Sequence, residues 1–185
     1  MKVDFTRTDA PARKQVIFET IFAEKNGGGR VANSTFDLKT GMAVGLGENG
    51  LYVPIKGYKV VEDALSDATT LKIEKGSGVV AGDNVALAKK SVAVTNVDSS
   101  NDEFDTITIS TLGVAIKKGE VLYQAKTASA SAAAPVVEPV YILGEDIEAN
   151  TGDRLVKLVN GANLRKESAP VAAAVVALMK SIELI

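Results

Sequence analysis

The sequence predicts a mainly β protein: a small barrel or sandwich of short strands, with a C-terminal helix and an N-terminal arm. Short runs of alternating apolar residues indicate strands, and residues 106–109 (TITI) alternate most clearly, with both isoleucines on one face. Glycines separate these runs at the spacing of turns, as in small barrels and sandwiches. An apolar stripe with helical spacing occurs near the C-terminus.

The composition is that of a globular protein that can form its own core. The chain has 185 residues, which suits one domain or one domain with a small appendage. Hydrophobic residues make up 46% and charged residues 24%, both ordinary fractions. Aromatic residues are only 5% and tryptophan is absent, so we expect a core of valine, isoleucine, leucine and alanine.

The absence of histidine and cysteine narrows the chemistry open to this chain. Without cysteine there is no disulfide framework and no thiolate nucleophile or zinc ligand. Without histidine, the commonest general base and metal ligand is missing, and a Ser-His-Asp triad is excluded. Paired carboxylates or a Lys-Ser pair stay chemically possible. We therefore predict a non-enzymatic protein that needs no cofactor.

The charge distribution argues against nucleic acid and membrane as partners. The formal net charge is −2, and the chain has no long basic run to neutralise phosphates. It also has no stretch of about 18 apolar residues, so we expect no membrane-spanning helix. The first residues lack the apolar segment of a secretory signal, so we expect no export by the general secretory route.

Residues 1–30 have the features of an N-terminal arm, in which basic residues outnumber acidic ones. An apolar cluster within the arm permits a short helix, because its members recur at i,i+4, and equally an extended strand, because they are good strand formers. Gly27 ends either element. The arm either packs on its own core or reaches a neighbouring subunit. In the second case the candidate partner-binding residues are Val16, Ile17, Phe18, Ile21 and Phe22.

Residues 31–125 are predicted to form the main β-rich domain. A turn signature recurs in this region and beyond it, in which a glycine precedes an acid and then an apolar strand, at Gly82-Asp83, Gly119-Glu120 and Gly152-Asp153. We interpret these as turns that lead into strands. Residues 126–139 are rich in alanine, serine and proline, so they are predicted to be a linker or an extended surface loop.

Residues 140–185 are predicted to form a second β block and the C-terminal helix, packed on the same core. Ser168 is a plausible helix cap, with a proline near the first turn. The opposite side of the helix carries alanines, so it suits either close packing on its own sheet or a helix cluster around an oligomer axis. The apolar stripe of this helix consists of Val171, Val175, Leu178, Met179 and Ile182.

The acidic run at residues 98–105 (DSSNDEFD) concentrates oxygen ligands of the kind that calcium prefers. Its spacing does not match an EF-hand loop, which needs a glycine at the sixth position and a glutamate at the twelfth. We therefore expect a solvated acidic loop in a hairpin, with a structural cation site as the alternative.

Several segments give the chain a family resemblance. Residues 94–109 (VTNVDSSNDEFDTITI), 111–115 (TLGVA) and 118–122 (KGEVL) resemble head-fibre and capsid-decoration proteins of tailed bacteriophages, including phages of gut Bacteroidetes. Residues 141–144 (YILG) and 159–165 (VNGANLR) are similar to the same kind of protein. The resemblance extends over about residues 70–185 and leaves the arm outside.

The resemblance implies a β-rich, homo-oligomeric virion protein without catalytic residues or cofactor, made in the host cytoplasm and bound to the capsid exterior. Its partner would be the major capsid protein, with no nucleic acid and no membrane involved. An alternative stays open, because residues 113–122 (GVAIKKGEVL) also look like the strand pair of β-clip domains in sugar-binding and biosynthetic proteins. A secreted adhesin is a third possibility, against which the missing signal peptide argues.

Overall fold

The computed structural model describes residues 16–185, which form fourteen strands and one short helix. This confirms the predicted mainly β class. In chain order the elements are β1 (Phe18–Glu24), β2 (Gly29–Val31), β3 (Ala43–Leu46), β4 (Tyr52–Pro54), β5 (Gly57–Lys59), β6 (Thr70–Glu74), β7 (Asn84–Leu87), β8 (Lys90–Asp98), β9 (Phe104–Ile109), β10 (Val121–Ala125), β11 (Tyr141–Leu143), β12 (Arg154–Val156), β13 (Leu158–Leu164), α1 (Ala173–Val176) and β14 (Ile182–Leu184).

The strands form two sheets, each with its own apolar core. The first sheet has the order β1-β13-β11-β3-β4-β2-β12, and β14 adds to β13 in parallel. The second has the order β5-β10-β7-β8-β9-β6. This second sheet curls until its end strands meet, since Val60, just after β5, forms a bridge with Ile73 of β6. Inside it, the alternating Ile107 and Ile109 of β9 are buried as predicted.

The two ends of the described chain form the first sheet, and the middle of the chain forms the second. Residues 16–55 and 140–185 supply the first sheet, and residues 57–125 supply the second. The predicted block 31–125 thus contributes strands to both sheets. Residues 126–139 form a loop that folds onto the protein, where Val136 and Val137 pack against the core between the sheets.

The two sheets contain matching backbone bridges. Residues 112–116 (LGVAI) and 143–147 (LGEDI) share a Leu-Gly-x-x-Ile pattern. Ile116 forms an antiparallel bridge with Ala64 in the second sheet, and Ile147 forms one with Leu38 in the first. An aspartate beside each bridge accepts a backbone hydrogen bond across it: Asp63 from Lys118 N–H at 2.8 Å, and Asp146 from Thr40 N–H at 2.7 Å.

The predicted Gly-acid turns are confirmed. Gly82 and Gly119 adopt φ angles of 94° and 88°, which are unfavourable for residues with a side chain. The acid after each glycine donates its backbone N–H three residues back, Asp83 to Val80 and Glu120 to Lys117. The strands β7, β10 and β12 follow the three turns directly.

The C-terminal helix exists but is much shorter than predicted. The helix α1 begins after Ala172, and no side chain caps it. Ser168 instead donates its hydroxyl to the carbonyl of Val16 at 2.7 Å. Ile182, predicted on the helical stripe, lies in β14 opposite Ala162 of β13. The prediction of one long stripe is wrong because pairing with β13 overrides the local helical spacing.

The described part of the arm is extended. The strand β1 pairs antiparallel with β13, with Phe18 opposite Leu164 and Ile21 opposite Ala162, and three register shifts interrupt this pairing. The strand alternative for this cluster is therefore the one observed. Residues 1–15 lie outside the described residues. Within residues 16–185, no helix has the length and apolarity that crossing a bilayer requires.

Candidate attachment surface and cavity

The five candidate partner-binding residues divide into two groups in the structure. Ile17, Phe18 and Ile21 pack against the core between the two sheets. Val16 and Phe22 point outward, with 55% and 60% of their surface exposed. Successive residues of a strand point to opposite faces, and the register shifts of β1 change this alternation locally. The residues of the cluster therefore face different sides. Val16 and Phe22 are therefore the members of the cluster that a partner could contact, and we call them the attachment surface.

Phe22 lies over a glycine of the neighbouring strand. A Cβ atom on Gly161 would be only 2.7 Å from Cε2 of Phe22, so the missing side chain makes room for the ring. Ion pairs flank the ring along β1, with Glu19 bound to Arg165 and Glu24 to Lys157. An exposed aromatic ring within a charged rim is a frequent arrangement at protein interfaces.

The strand β1 also ends the first sheet. Within residues 16–185, β13 is its one strand partner, so the outer edge of β1 has no strand beside it. Free edges can accept a strand from another chain, but bulges interrupt such pairing. The three register shifts of β1 therefore favour binding through side chains over continuous strand addition.

A buried polar network centres on Asp83, which directly precedes β7 and bonds to residues at the start of the second sheet. Oδ2 of Asp83 accepts from Lys56 Nζ at 2.8 Å, from the Tyr58 hydroxyl at 3.0 Å and from Val80 N–H at 3.1 Å. Oδ1 accepts from Gln124 Nε2 at 3.1 Å. The side chains of Lys56 and Asp83 are only 13% and 9% exposed. Paired and saturated in this way, the carboxylate is a structural group rather than a reactive one.

Tyr58 stays protonated in this network. Burial, together with the adjacent Asp83 carboxylate, raises the pKa of the Tyr58 hydroxyl far above its ordinary value. The hydroxyl is therefore a permanent hydrogen-bond donor to Asp83. The sequence showed Asp83 only as a turn residue, and no local pattern indicated that its side chain would be buried with Lys56 and Gln124.

A cavity of about 420 Å³ lies where the two sheets meet. This volume is within the range of small-molecule sites. The first sheet and its loops provide one side, including Phe36 and Met42, and the second provides another, including Lys59 and Ser77. Pro170, in the segment before α1, helps to close it. No pattern in the sequence indicated this cavity.

The charged groups around the cavity are balanced and mostly paired. Three lysines and three carboxylates line it: Lys39, Lys59, Lys75, Asp37, Glu74 and Asp146. Lys39 pairs with Asp37, and Lys59 donates to the carbonyl of Glu167. A backbone hydrogen bond from Ala149, assisted by Lys39, lowers the pKa of Asp37.

The acidic run forms the predicted hairpin loop, between β8 and β9. Its inward-facing oxygens surround a lysine: Nζ of Lys75 donates to the carbonyls of Ser99 and Asn101, each at 2.7 Å. The same Nζ forms an ion pair at 3.0 Å with Oδ1 of the buried Asp105, and this oxygen accepts no hydrogen bond from any residue between 16 and 185. Over residues 16–185, no three acidic side chains converge as metal ligands. The ammonium of Lys75 thus contacts one carboxylate of the acidic run, that of Asp105, and two of its backbone carbonyls.

Replacing Lys75 with methionine is expected to loosen this loop. The change leaves the Asp105 carboxylate without its cation and removes both bonds to the loop carbonyls, and we expect a loss of about 1–3 kcal/mol in unfolding free energy. Hydrogen exchange of residues 99–103 should accelerate beyond that global loss. The control Lys126→Met changes an exposed lysine elsewhere, and equal exchange in both variants would refute the role of Lys75.

Acid is expected to weaken the backbone hydrogen bonds that the Asp37 and Asp63 carboxylates accept. Backbone hydrogen bonds from Ala149 and Lys118 are the main causes that lower the pKa of Asp37 and of Asp63 below the ordinary 3.8. The unfolded chain then binds protons more readily, so this stabilisation is complete above pH 3.8 and is lost as the pH falls through the lowered values. The thermal midpoint of Asp63→Asn should depend less on pH in this acidic range than that of the wild type. If the thermal midpoints of Asp63→Asn and of the wild type fall equally as the pH is lowered, the Asp63 carboxylate does not contribute to this acid sensitivity.

No family model, curated protein or solved structure matches this chain.

Proposed function

We propose that this chain is a non-enzymatic virion structural protein that binds the outer surface of a tailed-phage capsid as a decoration or head-fibre subunit. Its partner would be the major capsid protein, and the chain would act as a homo-oligomer on the capsid exterior. The resemblance of residues 94–122 and 141–165 supports this proposal. The buried, saturated hydrogen-bond network around Asp83 agrees with a chain whose task is packing and adhesion.

The observation that carries the proposal is the attachment surface on a firmly held strand. Phe22 is 60% exposed, while its neighbours Phe18 and Ile21 fix β1 to the core. A partner can therefore bind the ring without having to order the strand first, which saves binding free energy. Residues 1–15, in which four basic residues outnumber two acidic ones, directly precede this surface in the chain. Many weak contacts on a symmetric lattice would add up to stable attachment.

Phe22→Asp is expected to weaken capsid binding by about 30-fold, because an interface aromatic contributes about 2 kcal/mol or more. The measurement is co-sedimentation of the purified chain with assembled heads of a tailed phage that encodes it. Phe22→Asp removes an exposed ring, so we expect the unfolding free energy to change little.

Leu178→Asp is the matched control, because Leu178 is an apolar residue of similar exposure, 58%, that lies outside β1. A chain of residues 16–185 tests the arm separately, without removing β1. If Phe22→Asp and Leu178→Asp pellet with heads as the wild type does, the attachment surface is not where this protein binds.

The cavity favours a second candidate function, the small ligand-binding module that residues 113–122 suggested. Its position between the two sheets and its volume of about 420 Å³ suit a small molecule. The two functions do not exclude each other, because the Phe22 ring is not among the groups that line the cavity.

A further inference from the structure

We infer that the cavity between the sheets binds a neutral, hydroxyl-rich ligand, namely a saccharide of about one or two rings. The inference rests on the second candidate function and does not depend on capsid attachment.

The charge balance of the cavity selects a neutral ligand. Its three lysines and three carboxylates cancel formally. The lysine ammonium groups already have acceptors: Lys39 binds Asp37, Lys59 binds the Glu167 carbonyl, and Lys75 binds the hairpin loop. An anionic ligand would have to replace one of these acceptors. A cationic ligand would have to displace Lys39 from Asp37 or pair with Glu74, an exposed carboxylate whose ion pairs contribute little.

Several polar groups at the cavity can still form hydrogen bonds, and they suit the hydroxyl groups of a ligand. The Glu74 carboxylate makes no hydrogen bond or ion pair with any residue from 16 to 185, and Asp37 has further lone pairs to offer. The Ser77 hydroxyl is buried beside the cavity and has no hydrogen-bond partner among the described residues. A buried hydroxyl without a partner is unfavourable, and a small reorientation towards a ligand would satisfy it.

The remaining wall is apolar and matches the C–H faces of a sugar. Phe36, Met42 and Pro170 contribute it, together with Ile17 and Phe18 of the N-terminal cluster. Sites for small ligands combine such apolar walls with a few fixed polar groups that set orientation. A saccharide, with hydroxyls along its edge and C–H groups on its faces, fits both parts of this lining.

The test is an NMR titration of the ¹⁵N-labelled full chain with methyl glycosides of glucose, galactose and mannose. We expect at least one of them to shift amide signals of residues 36–42, 74–77 and 144–146 with a roughly millimolar dissociation constant. Glucosamine and N-acetylneuraminic acid, which carry a positive and a negative charge, should bind at least about tenfold more weakly than the best neutral glycoside.

Two variants and one control link binding to the cavity. Glu74→Gln and Ser77→Ala should each weaken binding by about fivefold, as loss of a hydrogen bond of about 1 kcal/mol predicts. Glu48→Gln, an exposed change in a distant turn, should leave it unchanged. The inference is overturned if none of the neutral glycosides shifts these amides, or if a charged sugar binds more tightly. Because the readout involves no capsid, its result stands whether or not Phe22→Asp loses attachment.

Discussion

Replacing Asp83 with alanine is expected to lower the free energy of unfolding by about 3–5 kcal/mol, the largest effect that we predict for a single substitution. The change would leave the ammonium of Lys56, whose side chain is 13% exposed, without its carboxylate. It would also leave the buried hydroxyl of Tyr58 and the amide of Gln124 without their acceptor. Equilibrium unfolding in urea, followed by circular dichroism, measures the loss.

Asp67→Ala is the matched control for Asp83→Ala. Asp67 is exposed and forms no ion pair or hydrogen bond with side chains in the described part of the protein, so its removal should change stability by less than about 0.5 kcal/mol. Lys56→Met combined with Asp83→Leu removes both charges at once and should recover part of the loss. If Asp83→Ala is as stable as the control, the network does not hold the start of the second sheet.

Gly57→Ala is expected to cost about 3 kcal/mol, the next largest effect on stability. Gly57 lies in β5 of the second sheet, where an added Cβ atom would overlap the carbonyl oxygen of Pro170. Since the obstacle is backbone, it cannot rotate away as a side chain could. The strand β5 and the Pro170 segment would have to separate locally, and the cavity that both residues line would change shape.

Gly76→Ala separates this close approach from the general cost of replacing a glycine. Gly76 has a φ of +78°, but no atom lies within 4 Å of the position that a Cβ atom would occupy. We therefore expect a loss of about 1 kcal/mol from backbone strain alone. Urea unfolding compares the two variants directly. If Gly57→Ala is no less stable than Gly76→Ala, the contact between β5 and the Pro170 segment is not tight.

The local features of the fold could be predicted from the sequence, because they depend on neighbouring residues. The alternation of Ile107 and Ile109 predicted a half-buried strand, and the glycines before Asp83 and Glu120 predicted the turns. The C-terminal apolar stripe was misleading at Ile182. Its spacing fits a helix, but the partner that decides its conformation is Ala162, twenty residues earlier in the chain.

The site depends on non-local contacts, which a single sequence does not encode in a readable way. The strand β1 pairs with β13, so the exposure of Phe22 is decided by Gly161 and not by its own neighbours. The network around Asp83 brings in Gln124 from 41 positions away. The cavity likewise joins Phe36 to residues of several distant segments. An apolar cluster at residues 16–22 was readable, but which of its members face solvent was not.

Cryo-electron microscopy of phage heads, with and without this protein, tests the central claim of capsid attachment most directly. The heads should come from a tailed phage that encodes the chain and be incubated with excess purified protein. We predict additional density at symmetric positions on the outer surface, into which the two sheets fit with Phe22 facing the major capsid protein. Heads that show no additional density at saturating protein, or density only on the inner surface, would contradict capsid attachment.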